Sequence, residues 1–503
     1  MTRPARPDAV ASSSALSTRH GRLVLALLCS VAFLDFVDAS IVNVALPDMR
    51  RDLHFSVQQL QWVPSGYLLT YGGFMLLGGR VADLLGRRRV LAAGTVLIAV
   101  SSLVGGLVQS AGPLVAARLA QGIGAAMMLP AALSILTTTF REGSDRNAAL
   151  GVWGGVGGLA SAVGVLLGGV LTDGPGWRWV LFVNPLAAAL VLPAIYALLP
   201  NDRRRARLAD FDVLGSLLVT GGMLLLVFTL VRAPERGWSA VETLLGLAGA
   251  AVLLAGFLVN ERTVRSPLIP LAVFRIPGVA AANITGLTAF AGLLAMFFFL
   301  TLYMQNVLHY SPLKTGLAYL PLTFGVGVAA GISSKLMSRV GTRPLVVVGA
   351  AIGSAGLFVL SRIPVDGSYL TDLLPGLMIV SFGLGAVFVA VTTAANAGVK
   401  ASDAGLAAAL LNASQQVGSA LGLAIFSAAA TARTTDLLTH HAPTAAAATA
   451  GFQRALLLGC AFLLAAAFVG LRVTNAHEEP HLLEPPGTGG LEDDNGLVMA
   501  VPS

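Results

Sequence analysis

A chain of 503 residues that is 55% hydrophobic and only 11% charged falls far below the roughly 25% charged residues of a soluble domain, which excludes a mostly water-facing surface. Its net charge of +7 does not indicate nucleic acid. The basic residues cluster in short blocks between apolar runs, GRRR at 86–89 and RRRAR at 203–207, where they face anionic lipid and set topology.

Fourteen apolar runs follow in chain order, near residues 23–47, 60–79, 90–110, 113–136, 147–171, 178–199, 213–231, 240–259, 279–304, 315–337, 344–361, 370–395, 405–428 and 452–473. Each approaches the ~20 residues that an α-helix needs to cross a hydrocarbon core roughly 30 Å thick. The expected fold is an all-α polytopic membrane protein. Residues 1–20 read as a polar tail, and the run that follows is too long and too acid-bearing for a cleaved signal peptide, so it stays as helix 1. With residue 1 inside, most of the 32 Lys and Arg fall in loops on the cytoplasmic side, where such residues collect. Both termini are therefore expected in the cytoplasm.

Two six-helix blocks, 21–200 and 279–474, flank a linker at 201–278 that carries the two extra central helices. The blocks echo each other: GRVADLLGRRRVL at 79–91 aligns with SKLMSRVGTRPLV at 334–346, pairing Gly86 with Gly341 and Arg88 with Arg343. A duplicated block with the same loop at the same place is expected of a transporter built from parallel repeats. The tail 475–503, acidic and rich in Pro and Gly, is expected to be disordered.

Helix 1 carries Asp35 and Asp38, three apart and so on one face. A carboxylate near the bilayer centre costs about 2.5 to 3.5 kcal/mol on insertion scales, so that face should line a cavity or meet a partner. Arg118, the one cation set inside a run and not at its ends, is the default partner. Burial, a guanidinium and a second acid pull a carboxyl's proton affinity in opposite directions. A group balanced between them can load a proton on one side and release it on the other. The plainer alternative is a buried acid pinned by Arg118 as a bundle staple.

In the loop after helix 2, Gly79 and Gly86 allow close approach or a turn, Asp83 can accept from a helix N-terminus, and Arg87 and Arg88 can pair with carboxylates. The loop could latch two bundles, or be only a positively charged turn. Helix 5 carries small-xxx-small pairs such as Gly151/Gly155 and Gly164/Gly168, which suit tight packing and also helices that rock on each other. Asn43, Trp62, Tyr67, Gln121, Asn283, Asn412 and Gln416 are polar or aromatic within apolar helices. They are candidate cavity residues, each equally readable as a helix–helix contact. Cys29 and Cys460 lie in helices near opposite ends of the chain and read as packing residues. There is no GxxxxGK[ST] or GxSxG, and the HEEPH at 477–481 lies in the tail expected to be disordered, with a proline that keeps its two histidines off one helix face. No enzyme, cofactor or metal site is expected, and an ion gradient is the available energy source.

Five segments in this order resemble the major facilitator superfamily, specifically its fourteen-helix drug:proton antiporter branch: VDASIVNVALP at 37–47, QWVPSGYLL at 61–69, GRVADLLGRRR at 79–89, RLAQGIGAA at 118–126 and WRWVLFVNP at 177–185. The resemblance covers residues 21–475, and within the branch the chain looks similar to self-resistance exporters of antibiotic-producing actinomycetes. It implies proton-coupled efflux of a drug, such as puromycin or a similar cationic antibiotic, across the cytoplasmic membrane by a monomer working by alternating access. Asp38 and Arg118 match the branch's proton-transfer residues, with Asp35 beside them, and Asp83, Gly86 and Arg88 match the loop that locks the halves. Gly164, Gly168 and Gly169 fall on the helix 5 antiporter motif, but Val165 stands where that motif has proline, so a weaker kink is expected. A proton-coupled importer of a metabolite and a non-transporting receptor remain as alternatives.

Overall fold

The computed structural model describes Leu16 and residues 18–140, 144–201, 212–264, 267–268, 271–399 and 404–476. The RRRAR block, most of both tails and part of the connector at 266–278 lie outside the described residues. Among those described, the chain is helical throughout. Fourteen long helices follow in order: α1 (Arg19–Leu53), α2 (Trp62–Leu85), α3 (Arg87–Leu107), α4 (Ala111–Thr139), α5 (Ser144–Asp173), α6 (Trp179–Leu198), α7 (Val213–Arg236), α8 (Val241–Thr263), α9 (Val279–Asn306), α10 (Pro312–Val340), α11 (Thr342–Leu360), α12 (Leu374–Asn396), α13 (Ala404–Thr439) and α14 (Thr444–Gly470). They coincide with the fourteen runs.

Several helix starts follow from local sequence. Thr18 Oγ1 accepts from Gly21 N at 3.0 Å to cap α1, and Ser311 caps α10 with Pro312 in its first turn, both standard ways to satisfy the free N–H groups of a helix start. Asp212 caps α7 through Gly215 N at 2.7 Å, and Asn260 Nδ2 donates to both of its carboxylate oxygens. The α7–α8 hairpin is thereby clasped at its open end.

Over the described residues, thirteen of the helices are long and apolar enough to span a membrane. Helix α2 carries the buried polar side chains Ser65, Tyr67, Thr70 and Tyr71. It tolerates them because it packs on α4 within its own bundle, on α13 of the other and on α7. Polar groups there meet protein, not lipid.

Two six-helix bundles result. In the first, α1 packs on α5 and α6, and α4 lies against α2 and α3; in the second, α9 packs on α13 and α14, and α12 lies against α10 and α11. The loops at their corresponding corners are built alike. Gly86 and Gly341 both adopt positive φ, 102° and 81°, which L side chains rarely adopt and glycine does freely. Two residues on, Arg88 donates to Leu199 O just beyond α6 at 2.9 Å, and Arg343 Nε donates to Val473 O just beyond α14 at 2.9 Å. Asn475 and Ala476, grouped above with the tail, are bonded to Arg343 and Thr342.

The bundles meet along α5–α10 and α2–α13, with α1 touching α9. Along α5–α10 the close contact is at one end: a Cβ on Gly169 would lie 2.8 Å from Leu313 Cα, and one on Gly316 2.8 Å from Val165 O. At the same end Gln305 Nε2 donates to Val44 O across α9 and α1 at 2.9 Å. Here Asp52 accepts from Arg178 and the Trp177 indole. At the other end, a Cβ on Gly151, Gly155, Gly327 or Gly331 would meet nothing within 4 Å. The close α5–α10 and α1–α9 contacts thus lie at the Arg178 end, with open space beside these four glycines at the Gly86 end.

Candidate functional site

In the middle of the first bundle, α1, α3, α4 and α6 each contribute one or more buried polar side chains to a closed hydrogen-bonded ring. Asp38 Oδ2 accepts from Arg118 at 2.8 Å. Arg118 also donates to Gln121 Oε1 at 2.7 Å and, through Nε, to Val63 O at 3.0 Å. Gln121 Nε2 donates to Ser102 Oγ, which also accepts from Asn184 Nδ2 at 2.9 Å. Asn184 Nδ2 closes the ring by donating to Asp38 Oδ1. All five side chains are almost fully buried, Asp38 at 3% and Arg118 at 1% exposure. An ion pair this deep is tolerable only with further hydrogen bonds to its partners, which Val63, Gln121 and Asn184 supply.

Asp35 sits one helical turn back along α1 and is equally buried, yet has different partners. Tyr67 donates to its Oδ1 at 2.8 Å and Tyr71 to its Oδ2 at 3.2 Å. The Tyr67 ring lies under Arg118, 4.4 Å from centroid to guanidinium carbon, an electrostatically favourable stack. Tyr67 thus touches both acids' surroundings. Among the described residues no cationic group bonds to Asp35, so Arg118 balances one of two carboxylates.

The remaining sequence candidates fall in several places. Gly164 and Gly168 pack on α1 at Ser40 and Ile41, while Gly169 packs on α10, so α5 lies between the acid-bearing helix and the opposite bundle. It runs unbroken through Val165, where no proline removes a backbone N–H. Gly79 faces Pro130 on α4. Arg87 donates to Thr138 of α4, and Arg88 stacks on Tyr196 of α6. These loop contacts all lie within the first bundle. The Asp83 side chain is outside the described residues.

Asn43 is buried with its Oδ1 unpaired. Asn283 accepts from Ser414, tying α9 to α13; Asn412 is exposed; and Gln416 lies against Gly72. Trp62 lies apart from the ring and lines an apolar cavity of about 590 Å³ between α2, α4 and α7 with Phe228 and Leu119. The sequence reading brought Asp35, Asp38, Tyr67, Arg118 and Gln121 forward but missed Tyr71, Ser102 and Asn184. Tyr71 follows Tyr67 at the i, i+4 spacing of one helix face. Asn184 stood in plain view in the quoted WRWVLFVNP.

Two six-helix bundles joined by two extra helices, with buried charge at the centre of one, define a multi-pass membrane transporter and not an enzyme. The family model described as Major Facilitator Superfamily matches residues 28–423, and the chain belongs to that superfamily. It is 39% identical over 447 residues to the puromycin resistance protein of Streptomyces alboniger, covering 87% of each chain. It is also 39% identical to the cephamycin export protein of Amycolatopsis lactamdurans, over 82% of this chain and 85% of that one. The lincomycin resistance protein of Streptomyces lincolnensis is 35% identical, over 83% and 86%. In shape the chain is similar to a bacterial homolog of the human lysosomal transporter Spinster in an inward-facing, unoccupied conformation, with TM-score 0.65, 17% identity and 90% and 97% coverage.

Proposed function

We propose that this protein exports a cationic antibiotic or drug across the cell membrane in exchange for protons, by alternating access, and so confers resistance. Export is supported by the resistance and export proteins to which the chain is similar over most of its length. The proton coupling rests on one observation: of two neighbouring buried carboxylates, only Asp38 has a guanidinium partner, while Asp35 has tyrosine hydroxyls. With both ionised the site carries a net negative charge in an apolar bundle, which a proton or a drug cation can neutralise. Only one need be present at a time.

In the outward-facing state a proton entering the pair loosens Asp38 from Arg118 and releases the drug; reorientation then carries the proton inward. Exchange of one proton for one monovalent cation moves no net charge, so it draws on the pH difference alone, about 1.4 kcal/mol or tenfold per pH unit. The Gly86 end, cytoplasmic by the distribution of Lys and Arg, is the open one. The described arrangement therefore corresponds to the inward-facing stage of the cycle. The loop around Gly86 and Arg88, here bonded within its own bundle, engages the second bundle when that end closes. The whole cycle needs only one chain.

The test is drug-dependent proton movement in inverted vesicles, with puromycin and ethidium as probe cations. Coupling present in the intact protein and absent from Asp38→Asn, with drug binding retained, supports the proposal. Drug movement indifferent to the proton gradient in the intact protein refutes it.

A further inference from the structure

The geometry points to Asn184 as the residue that holds Asp38 in place through its protonation cycle and, together with Ser102, sets the pH at which that carboxyl exchanges its proton. This deepens the proposed antiport and rests on it for its functional meaning. Arg118 has only donors, so it can serve the acceptor oxygens of Asp38 but not the O–H of the protonated acid. A protonated Asp38 needs an acceptor for its O–H, and the guanidinium offers none. Asn184 lies on the opposite oxygen, Oδ1, and its amide carries both kinds of group.

In the ionised state the two N–H bonds of Asn184 Nδ2 go to Asp38 Oδ1 and to Ser102 Oγ. A half-turn of the amide places Oδ1 there instead, with lone pairs for the Asp38 O–H and for the Ser102 O–H once that hydroxyl rotates. Ser102 continues to accept from Gln121 in either arrangement. The pair therefore inverts its polarity without moving a helix. Of the two side chains bonded to Asp38, Arg118 and Asn184, only the amide can do this; the other ionisable groups facing the site are Asp35, Tyr67 and Tyr71, whose hydroxyls are engaged with Asp35. Helices α3, α5, α6 and α9 carry none between their first and last turns. Tyr319 of α10 is engaged with Thr301 and Phe297.

Removing the amide takes a charge-assisted bond from the ionised form but only an ordinary one from the protonated form, and charged hydrogen bonds are about twice as strong. The midpoint of Asp38 in Asn184→Leu should therefore rise, by about one pH unit. The experiment is an infrared pH titration of the full-length protein reconstituted in lipid, reading the protonated-carboxyl C=O stretch without any drug. A band absent from Asp38→Asn identifies Asp38. The expected result in Asn184→Leu is a higher midpoint and a higher C=O frequency, as the carbonyl environment loses its partner. Ser102→Ala, which leaves Asn184 in place but unanchored, should shift the midpoint the same way by less, and it carries the test if Asn184→Leu fails to insert. An Asp38 band unmoved in midpoint and frequency in a folded variant overturns the inference, as does finding no titrating Asp38 band. Failure of proton-coupled export itself would show in the vesicle assay and not in this one.

Discussion

Substituting Gly169 with alanine should push the transporter away from the conformation described here and towards the outward-open one. The added Cβ would come within 2.8 Å of Leu313 Cα and 2.9 Å of Pro312 O. Both are backbone atoms, so no side chain can swing aside. Overpacking of this kind costs about 1 to 3 kcal/mol, and the cost falls only on the state in which α5 and α10 touch at this end. The ratio of outward-open to inward-facing protein should therefore rise roughly 5- to 150-fold. Gln305→Cys, at the α1–α9 contact of the same end, reports the change. Both native cysteines are buried, and with them replaced by alanine the new thiol is the sole target. A membrane-impermeant maleimide added to whole cells should label it faster in Gly169→Ala than in Gly169. Gly155→Ala, whose Cβ meets nothing within 4 Å, serves as the control. Equal or slower labelling in Gly169→Ala would refute the assignment of the α5–α10 contact as the outer gate.

Arg118→Ala leaves Asp38 buried without its charge partner and should destabilise the protein by about 3 to 5 kcal/mol, seen as a lower thermal midpoint in detergent. Arg118→Lys keeps the charge but loses the three separately aimed bonds to Asp38, Gln121 and Val63; it should insert and bind drug yet exchange protons poorly. Tyr67→Phe keeps the ring under Arg118 and removes one donor from Asp35, costing about 1.5 to 3 kcal/mol if the carboxylate is charged; an unchanged thermal midpoint would count against an ionised Asp35. Gly341→Ala places a side chain at φ 81° and should cost about 1 to 3 kcal/mol, with the matching Gly86→Ala showing a similar loss if the two loops are true counterparts.

The fourteen helices were readable because each membrane crossing needs about 20 apolar residues and little else. Glycine and arginine at matching loop positions gave away the repeat, since a positive φ and a carbonyl-seeking guanidinium leave a residue-level trace. The choice of partners was not readable. Asp35 and Asp38 lie on one face, so spacing alone cannot tell which meets Arg118 and which meets tyrosine. Ser102 and Asn184 were hidden for a related reason: a lone serine or asparagine in an apolar helix is compatible with any helix–helix hydrogen bond, and only the packing of α3 and α6 against α1 and α4 gives these two a common target. The cavity that Trp62 lines was not readable either, because it is formed with α7, whose position against α2 no local pattern encodes.

The proposed exchange turns on Asp38 as the proton carrier. Puromycin-dependent proton release in inverted vesicles should be present in the intact protein and lost in Asp38→Asn, while puromycin binding persists. Undiminished release in Asp38→Asn would contradict the account and reduce the Asp38–Arg118 pair to a structural staple, leaving Asp35 to carry the proton.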